Sequence, residues 1–156
     1  MAKQYWLLKT EPTSFSIDDL EKAPEKTTFW EGVRNYQARN FLRDQIKKGD
    51  EVFLYHSSTD EPAIMGTAMV VKGGYPDASQ FNAKSKYYDP TATIEKPRWF
   101  QVDIRHQHTF LRPIPIKMLR NFPELSKMKL LQKGMRLSVQ PVSSQEWATI
   151  LKMVKR

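Results

Sequence analysis

The sequence contains no cysteine. That excludes disulfides, thiol nucleophiles and cysteine-ligated zinc, and it is compatible with a reducing compartment. There is no apolar run near the roughly 20 residues that a membrane-spanning helix needs. Also missing are a Gly-x-Ser-x-Gly elbow, a phosphate-cradling loop of the P-loop type and a dinucleotide-binding glycine fingerprint, so the common signatures of hydrolases and nucleotide enzymes are not present. No internal repeat, low-complexity tract or linker interrupts residues 1–156, which read as one domain. Histidine is scarce, with three residues. His106 and His108 lie two apart on an expected strand, where alternation would put both on one face, but no third ligand accompanies them. Neither a metal nor a cofactor is expected.

What the chain does have is positive charge and aromatic rings. Its 25 Lys and Arg against 17 Asp and Glu give a formal net charge of +8. Such a surplus favours polyanionic partners through attraction at a distance and counterion release on contact. It also occurs in proteins that are basic for no specific reason. With 40% hydrophobic residues the chain can bury a real core. The N-terminal segment Met1–Lys9 has too short an apolar stretch for a signal peptide and reads as a first strand. An intracellular location follows as an expectation, cytoplasmic or, in a eukaryote, nuclear.

Local signals order the rest. Tyr5–Thr10 is strand-like and ends at Glu11-Pro12. Ser16 and Asp19 form a capping box, with Phe15 and Leu20 as its staple, for a short helix over 17–22 that stops before Pro24. Asn35 is placed to cap a second helix. Ala38, Phe41, Leu42 and Ile46 share its inner face, Arg39, Arg43 and Lys47 form an outer stripe at steps of four, and Gly49 stands as its C-terminal glycine. Strands are predicted over 51–56, over 63–71 with a bulge or close approach at Gly66, over 99–110 and over 135–139. The polar segment 73–89 reads as a long loop. Helical pieces follow near 116–120 and 124–130, and Ser143 with Glu146 caps a final helix reaching Val154. Strand, helices, strands, then helices is an α+β order.

The chemistry-bearing candidates point to recognition. His56 beside Ser57 is no triad by adjacency, and a backbone-bonded, partly buried imidazole accounts for it equally well. Asp18-Asp19 and Asp60-Glu61 fit helix-start and loop roles better than a paired acid and base. Trp30, Trp99, Tyr87 and Tyr88 supply flat faces, while Arg34, Asn35, Gln37, Arg39, Arg136 and Gln140 supply directional hydrogen bonds. An extruded or single-stranded base needs that combination of stacking and edge contacts. Core packing is the competing role for most of these rings, and the one expected of Trp6 and Trp147.

Several segments taken together resemble the EVE domain family. They are Lys9-Thr10-Glu11-Pro12, the block from Trp30 to Asn40, Gly49-Asp50, Tyr55-His56-Ser57, Tyr87-Tyr88-Asp89-Pro90, Trp99, and Arg136-Leu137-Ser138-Val139-Gln140-Pro141-Val142. The resemblance implies a PUA-like fold, a curved mixed sheet forming a pseudo-barrel flanked by helices, with kinship to the YTH domains that bind methylated adenine in RNA. It further implies a non-catalytic module that recognises a modified nucleobase, notably a modified cytosine in DNA, with RNA as the other polymer. Carried onto this sequence, the base pocket comprises Lys9, Thr10, Trp30, Glu31, Val33, Asn35, His56, Ser57, Tyr87, Tyr88, Ser138 and Gln140. Contacts to the nucleic-acid backbone fall to Arg34, Arg39, Arg43, Lys47 and Arg136. Two rival readings stay open: an enzyme acting on a base or nucleotide through His56 or a carboxylate, and a small-molecule or protein-interaction module.

Overall fold

The computed structural model describes residues 3–154. Six strands make one mixed sheet: β1 (Tyr5–Thr10), β2 (Thr27–Phe29), β3 (Glu51–His56), β4 (Ala63–Pro76), β5 (Phe100–Pro115) and β6 (Val139–Val142). Their spatial order is β2-β5-β4-β3-β1-β6, with β1 and β3 parallel and the other neighbours antiparallel. The sheet curves without closing, as β2 and β6 remain its two edges. This is the α+β order expected from the sequence, with the curved mixed sheet that the family resemblance implies, in its open form. No helix among the described residues is long and apolar enough to cross a membrane.

Both faces of the sheet carry core, which is why β1 and β3 read as unbroken apolar runs. Trp6, Leu8, Val52, Leu54, Val102 and Ile104 face one cluster together with Ile17, Leu20, Trp30, Ala38 and Leu42. Leu7, Phe53, Tyr55, Phe110 and Ile114 face the other, under Leu119, Leu125, Trp147 and Ile150. Trp6 and Trp147 are structural. The Trp6 indole donates to buried Asp50 at 3.0 Å, and Trp147 stacks on Phe53 with ring centroids 3.8 Å apart.

Among the described residues four α-helices flank the sheet: α1 (Ile17–Lys22), α2 (Tyr36–Asn40), α3 (Ile116–Leu119) and α4 (Ser144–Met153). The capping boxes of Ser16 with Asp19 and Ser143 with Glu146 are both formed, and Asn35 Oδ1 accepts from the Ala38 N–H at 2.9 Å. Beyond Asn40 the chain differs from the single long helix expected. It widens into a π-turn over Phe41–Gln45, closed by the Ile46 N–H donating to the Phe41 carbonyl at 2.9 Å, and then becomes extended. Lys47 therefore lies outside the helix. Gly49, at φ 96°, serves the turn into β3 instead of capping the helix.

The elements depart from the sequence reading at several places. β4 runs on to Pro76, through the Gly73-Gly74 pair that reads as a turn. Gly74 is needed because any Cβ there would lie 2.3 Å from the Leu42 carbonyl oxygen. β2 was not anticipated, and β6 lies over Val139–Val142 rather than 135–139, with Pro141 tolerated on an edge strand. The piece near 124–130 breaks into separate 3-10 turns at Pro123–Leu125 and Lys129–Leu131. His106 and His108 do not share a face. They pair with Ala68 and Thr67, adjacent residues of β4, so Gln107 is the extra residue of a bulge and the two rings point to opposite sides. His106 bonds Thr109 and lies 3.8 Å from Glu21, whereas His108 lies beside Phe110 and borders a cavity with Trp147. Gly66, by contrast, sits at a register shift where any Cβ would lie 2.2 Å from the His108 carbonyl oxygen, the close approach its position in a strand suggests.

Candidate nucleic-acid interface

The C-terminal end of β2 and the chain after it meet the end of β1 and the segment 77–99 in a two-lobed cleft. One lobe, of about 370 Å³, is lined by Thr10, Ser14, Phe15, Thr28, Phe29, Trp30, Glu31, Lys86 and Tyr87. The other, of about 380 Å³, shares Thr10, Ser14, Trp30, Glu31, Lys86 and Tyr87 and adds Lys9, Val33, Arg34 and Ser138. Either volume falls in the ~300–1,000 Å³ range of small-ligand pockets.

Trp30 joins core and cleft. Its backbone N–H donates to the Val102 carbonyl at 2.8 Å, and Phe15 meets its ring edge-on at 6.2 Å. It is 8% exposed, and what remains exposed faces the cleft. Tyr87 reaches the same space from 57 positions along the chain because Gly32 lets it. Gly32 has φ +84°, and a Cβ there would lie 2.5 Å from the Tyr87 ring. No other residue type permits that stacking of ring on backbone.

The arrangement is held by a buried carboxylate. Asp77 Oδ2 accepts from the Gly32 N–H at 2.8 Å and from the Arg34 guanidinium at 3.1 Å, while Oδ1 accepts from the Ser79 N–H at 2.8 Å. Arg34 also donates to the Tyr87 carbonyl at 2.7 Å and lies over the rings of Tyr87 and Trp99. Behind it, buried Gln80 uses both ends of its amide: Nε2 donates to the carbonyls of Asp77 and Trp99, and Oε1 accepts from the N–H groups of Arg98 and Trp99. Asp89 accepts from the Trp99 indole at 2.7 Å, and its bonds to Thr91 and Trp99 hold its carboxyl down at about 2. The 77–99 segment is thus a fixed wall.

Charge in the cleft is mixed. Burial pushes the Glu31 carboxyl above its usual range, aided by Asp77 and opposed by Arg34 and Lys86. Burial likewise lowers the Lys9 ammonium, whose backbone N–H donates to the Ser138 carbonyl at 2.9 Å. Thr10 Oγ1 donates to the Phe15 carbonyl at 2.8 Å and keeps its lone pairs.

The structure brings together Lys9, Thr10, Trp30, Glu31, Val33, Arg34, Tyr87 and Ser138 of the residues singled out in the sequence. Others lie elsewhere. His56 is buried, with Nε2 accepting from the Ile17 N–H at 3.1 Å, so its basic lone pair is occupied away from the cleft. Ser57 bonds the Thr10 carbonyl behind the cleft wall. Gln140 is buried, donating to the Leu137 carbonyl at 2.8 Å, and Tyr88 is exposed outside the cleft lining. Asn35 and Arg136 border a separate recess of about 340 Å³ with Gln37, Lys129, Lys133, Gly134, Met135 and Leu137. The helix stripe is largely engaged. Arg39 donates to Asn40 and to the Arg98 carbonyl, Arg43 chelates Asp44, and Lys47 stands apart beyond the π-turn. Sequence reasoning missed Ser14, Phe15, Thr28, Phe29 and Lys86 as cleft residues. Only Phe29, an aromatic next to Trp30, carried a signal that could have found it. Among the described residues no group of three or more His, Asp or Glu is placed to hold a metal ion.

Residues 4–153 match the EVE domain. Human thymocyte nuclear protein 1 is 39% identical over 168 residues, which cover 97% of this chain and 74% of that protein. A crystal structure of a Pseudomonas syringae protein is 46% identical and superposes with a TM-score of 0.90, covering 96% of this chain and 98% of the other. The human THYN1 protein in complex with 5-methylcytosine-containing DNA is 38% identical, with a TM-score of 0.92 and 99% of each chain covered. A Zymomonas mobilis ASCH protein at 7% identity and a TM-score of 0.56 shares the fold alone.

Proposed function

Because the chain belongs to the EVE domain family, we propose that it is a non-catalytic DNA-binding module, residues 1–156 acting as one unit, that takes a modified cytosine into the cleft between Trp30 and Tyr87. The observation that carries this reading is a cleft of ligand size with two aromatic rings and a few convergent polar groups, in a fold that a relative uses on DNA containing 5-methylcytosine. Stacking on an aromatic wall contributes about 1–3 kcal/mol per base. A cytosine edge offers an N4 amino donor beside acceptors, which Glu31 and Lys9 complement in sign. His56 takes no part, since its accepting nitrogen is bonded to Ile17.

Burying one methyl group contributes about 0.8 kcal/mol. The preference for 5-methylcytosine over cytosine from that contact alone is therefore roughly fourfold. The test is a pair of anisotropy titrations with oligonucleotides differing only in that methyl. The parent should prefer the modified strand. Trp30→Ala, checked for folding by its melt, should lose about 1–3 kcal/mol of binding and the preference with it, while weak salt-sensitive binding to unmodified strand survives. A folded Trp30→Ala that keeps full discrimination sinks this assignment of the wall.

A further inference from the structure

The recess beside the cleft is a site of a different character. Three cations, Lys129, Lys133 and Arg136, line it with Asn35 and Gln37, and no carboxylate does. Among the described residues the salt bridges are Lys3–Glu51, Arg34–Asp77, Arg43–Asp44 and His106–Glu21, so none of the three is neutralised by an acidic partner. All three are exposed. The arginines nearer the aromatic cleft are committed to protein: Arg34 to Asp77 and Tyr87, and Arg39 to the Arg98 carbonyl.

The recess has rigid walls. Met128 and Leu130 are buried in the core cluster under α3 and α4, Leu137 packs against the opposite cluster, and Gln132 Nε2 ties the turn to the Ser126 and Met128 carbonyls. Gly134, at φ +75°, makes the bend that presents Lys133 and Arg136 together. Cleft and recess are also adjacent. Arg34 and Ser138 line the cleft, and their chain neighbours Asn35 and Leu137 line the recess. Consecutive Cα atoms are about 3.8 Å apart. The two spaces therefore lie within the reach of one nucleotide and its neighbouring phosphate.

We propose that this recess is the docking site for the phosphodiester backbone flanking the base held in the cleft, so that identity is read at Trp30 and the strand is gripped at Lys129, Lys133 and Arg136. The grip is indifferent to base identity. Its location rests on the base-reading assignment of the cleft, but its existence is measurable without it.

The experiment compares the salt dependence of oligonucleotide binding in the parent, in a Lys129→Gln, Lys133→Gln, Arg136→Gln triple variant, and in an Arg112→Gln, Lys117→Gln control at two exposed cations that line neither cleft nor recess, each on modified and unmodified strands. A phosphate contact contributes about 0.7–0.9 to the slope of log K against log salt. The triple variant should lose roughly 2–3 units of slope and keep the parent's ratio between modified and unmodified strands. The control should keep the parent's slope. A triple variant with the parent's slope, or a control that loses as much as the triple variant, overturns the proposal. A parent without preference for the modified strand, whose slope still falls in the triple variant, overturns the base reading and leaves the phosphate site standing. A parent that binds neither strand at low salt overturns both.

Discussion

Replacing Asp77 by asparagine strikes the support of the cleft at its centre. Both carboxylate oxygens now accept N–H groups, Oδ2 from Gly32 and Arg34 and Oδ1 from Ser79. An amide has only one accepting end, so whichever way it turns, an NH2 group faces a backbone N–H. Arg34 loses its counter-charge at the same time. Removing one partner of a buried ion pair costs about 3–5 kcal/mol. The Arg34 side chain is 23% exposed and keeps its bonds to the Tyr87 carbonyl, which brings the expected loss to roughly 2–4 kcal/mol. At about 2–4 °C per kcal/mol for a domain of this size, the melting temperature should fall by roughly 4–16 °C. Circular dichroism at neutral pH reads that shift. Anisotropy titration well below the melt should show weakened DNA binding, because Gly32 and Arg34, on which Tyr87 rests, are no longer fixed by the carboxylate. Adding Arg34→Met removes the stranded cation, so the double variant should be less damaged than the sum of its parts. An Asp77→Asn protein that melts within about 2 °C of the parent and binds DNA equally well refutes the clamp.

Gly32→Ala should destabilise by about 1–3 kcal/mol from its left-handed backbone alone, and it should weaken binding further by pushing Tyr87 aside; parental affinity in the folded variant, titrated well below its melt, would show that the ring does not rest there. Burial lowers the His56 imidazole, with Asp18 and Asp19 opposing, so its folded value lies below the unfolded value near 6.5. Its contribution to stability is therefore fully present above about pH 6.5 and lost as pH falls through the folded value. Urea unfolding between pH 7 and pH 5 should show a steeper loss in the parent than in His56→Gln, and equal slopes would exclude His56 as a source of that acid sensitivity.

Local features were legible in the sequence, and distant ones were not. Ser16 with Asp19, Asn35, and Ser143 with Glu146 form caps whose partners are three residues away, so short-range spacing suffices to find them. Trp30, Glu31, Lys9 and Thr10 come to the cleft as their motifs suggest, since strand ends and a glycine turn carry them there. Arg34 could not be understood from its neighbourhood, because Asp77, which fixes its role, is 43 positions on. The Gly73-Gly74 pair looks like a turn until the Leu42 carbonyl is known to pass over it. His106 and His108 were separated by a bulge that only the pairing with β4 reveals. Lysines such as Lys86, Lys129 and Lys133 have no spacing that distinguishes them from ordinary solvated charge, and only their convergence in space singles them out.

The position of β1 between β3 and β6 also governs when the cleft can exist. Tyr5 pairs with Val142, and the Lys9 N–H finds its acceptor on Ser138, so the wall of the cleft joins the two ends of the described chain. Contacts of such sequence separation form late, because loop-closure entropy opposes them until the intervening strands are in place. A ribosome that has released only residues up to the end of β5 holds a chain with most of its sheet and no complete cleft. The lobe that Ser138 lines is thereby tied to the pairing of β6 with β1, and fraying of that edge strand opens this lobe first.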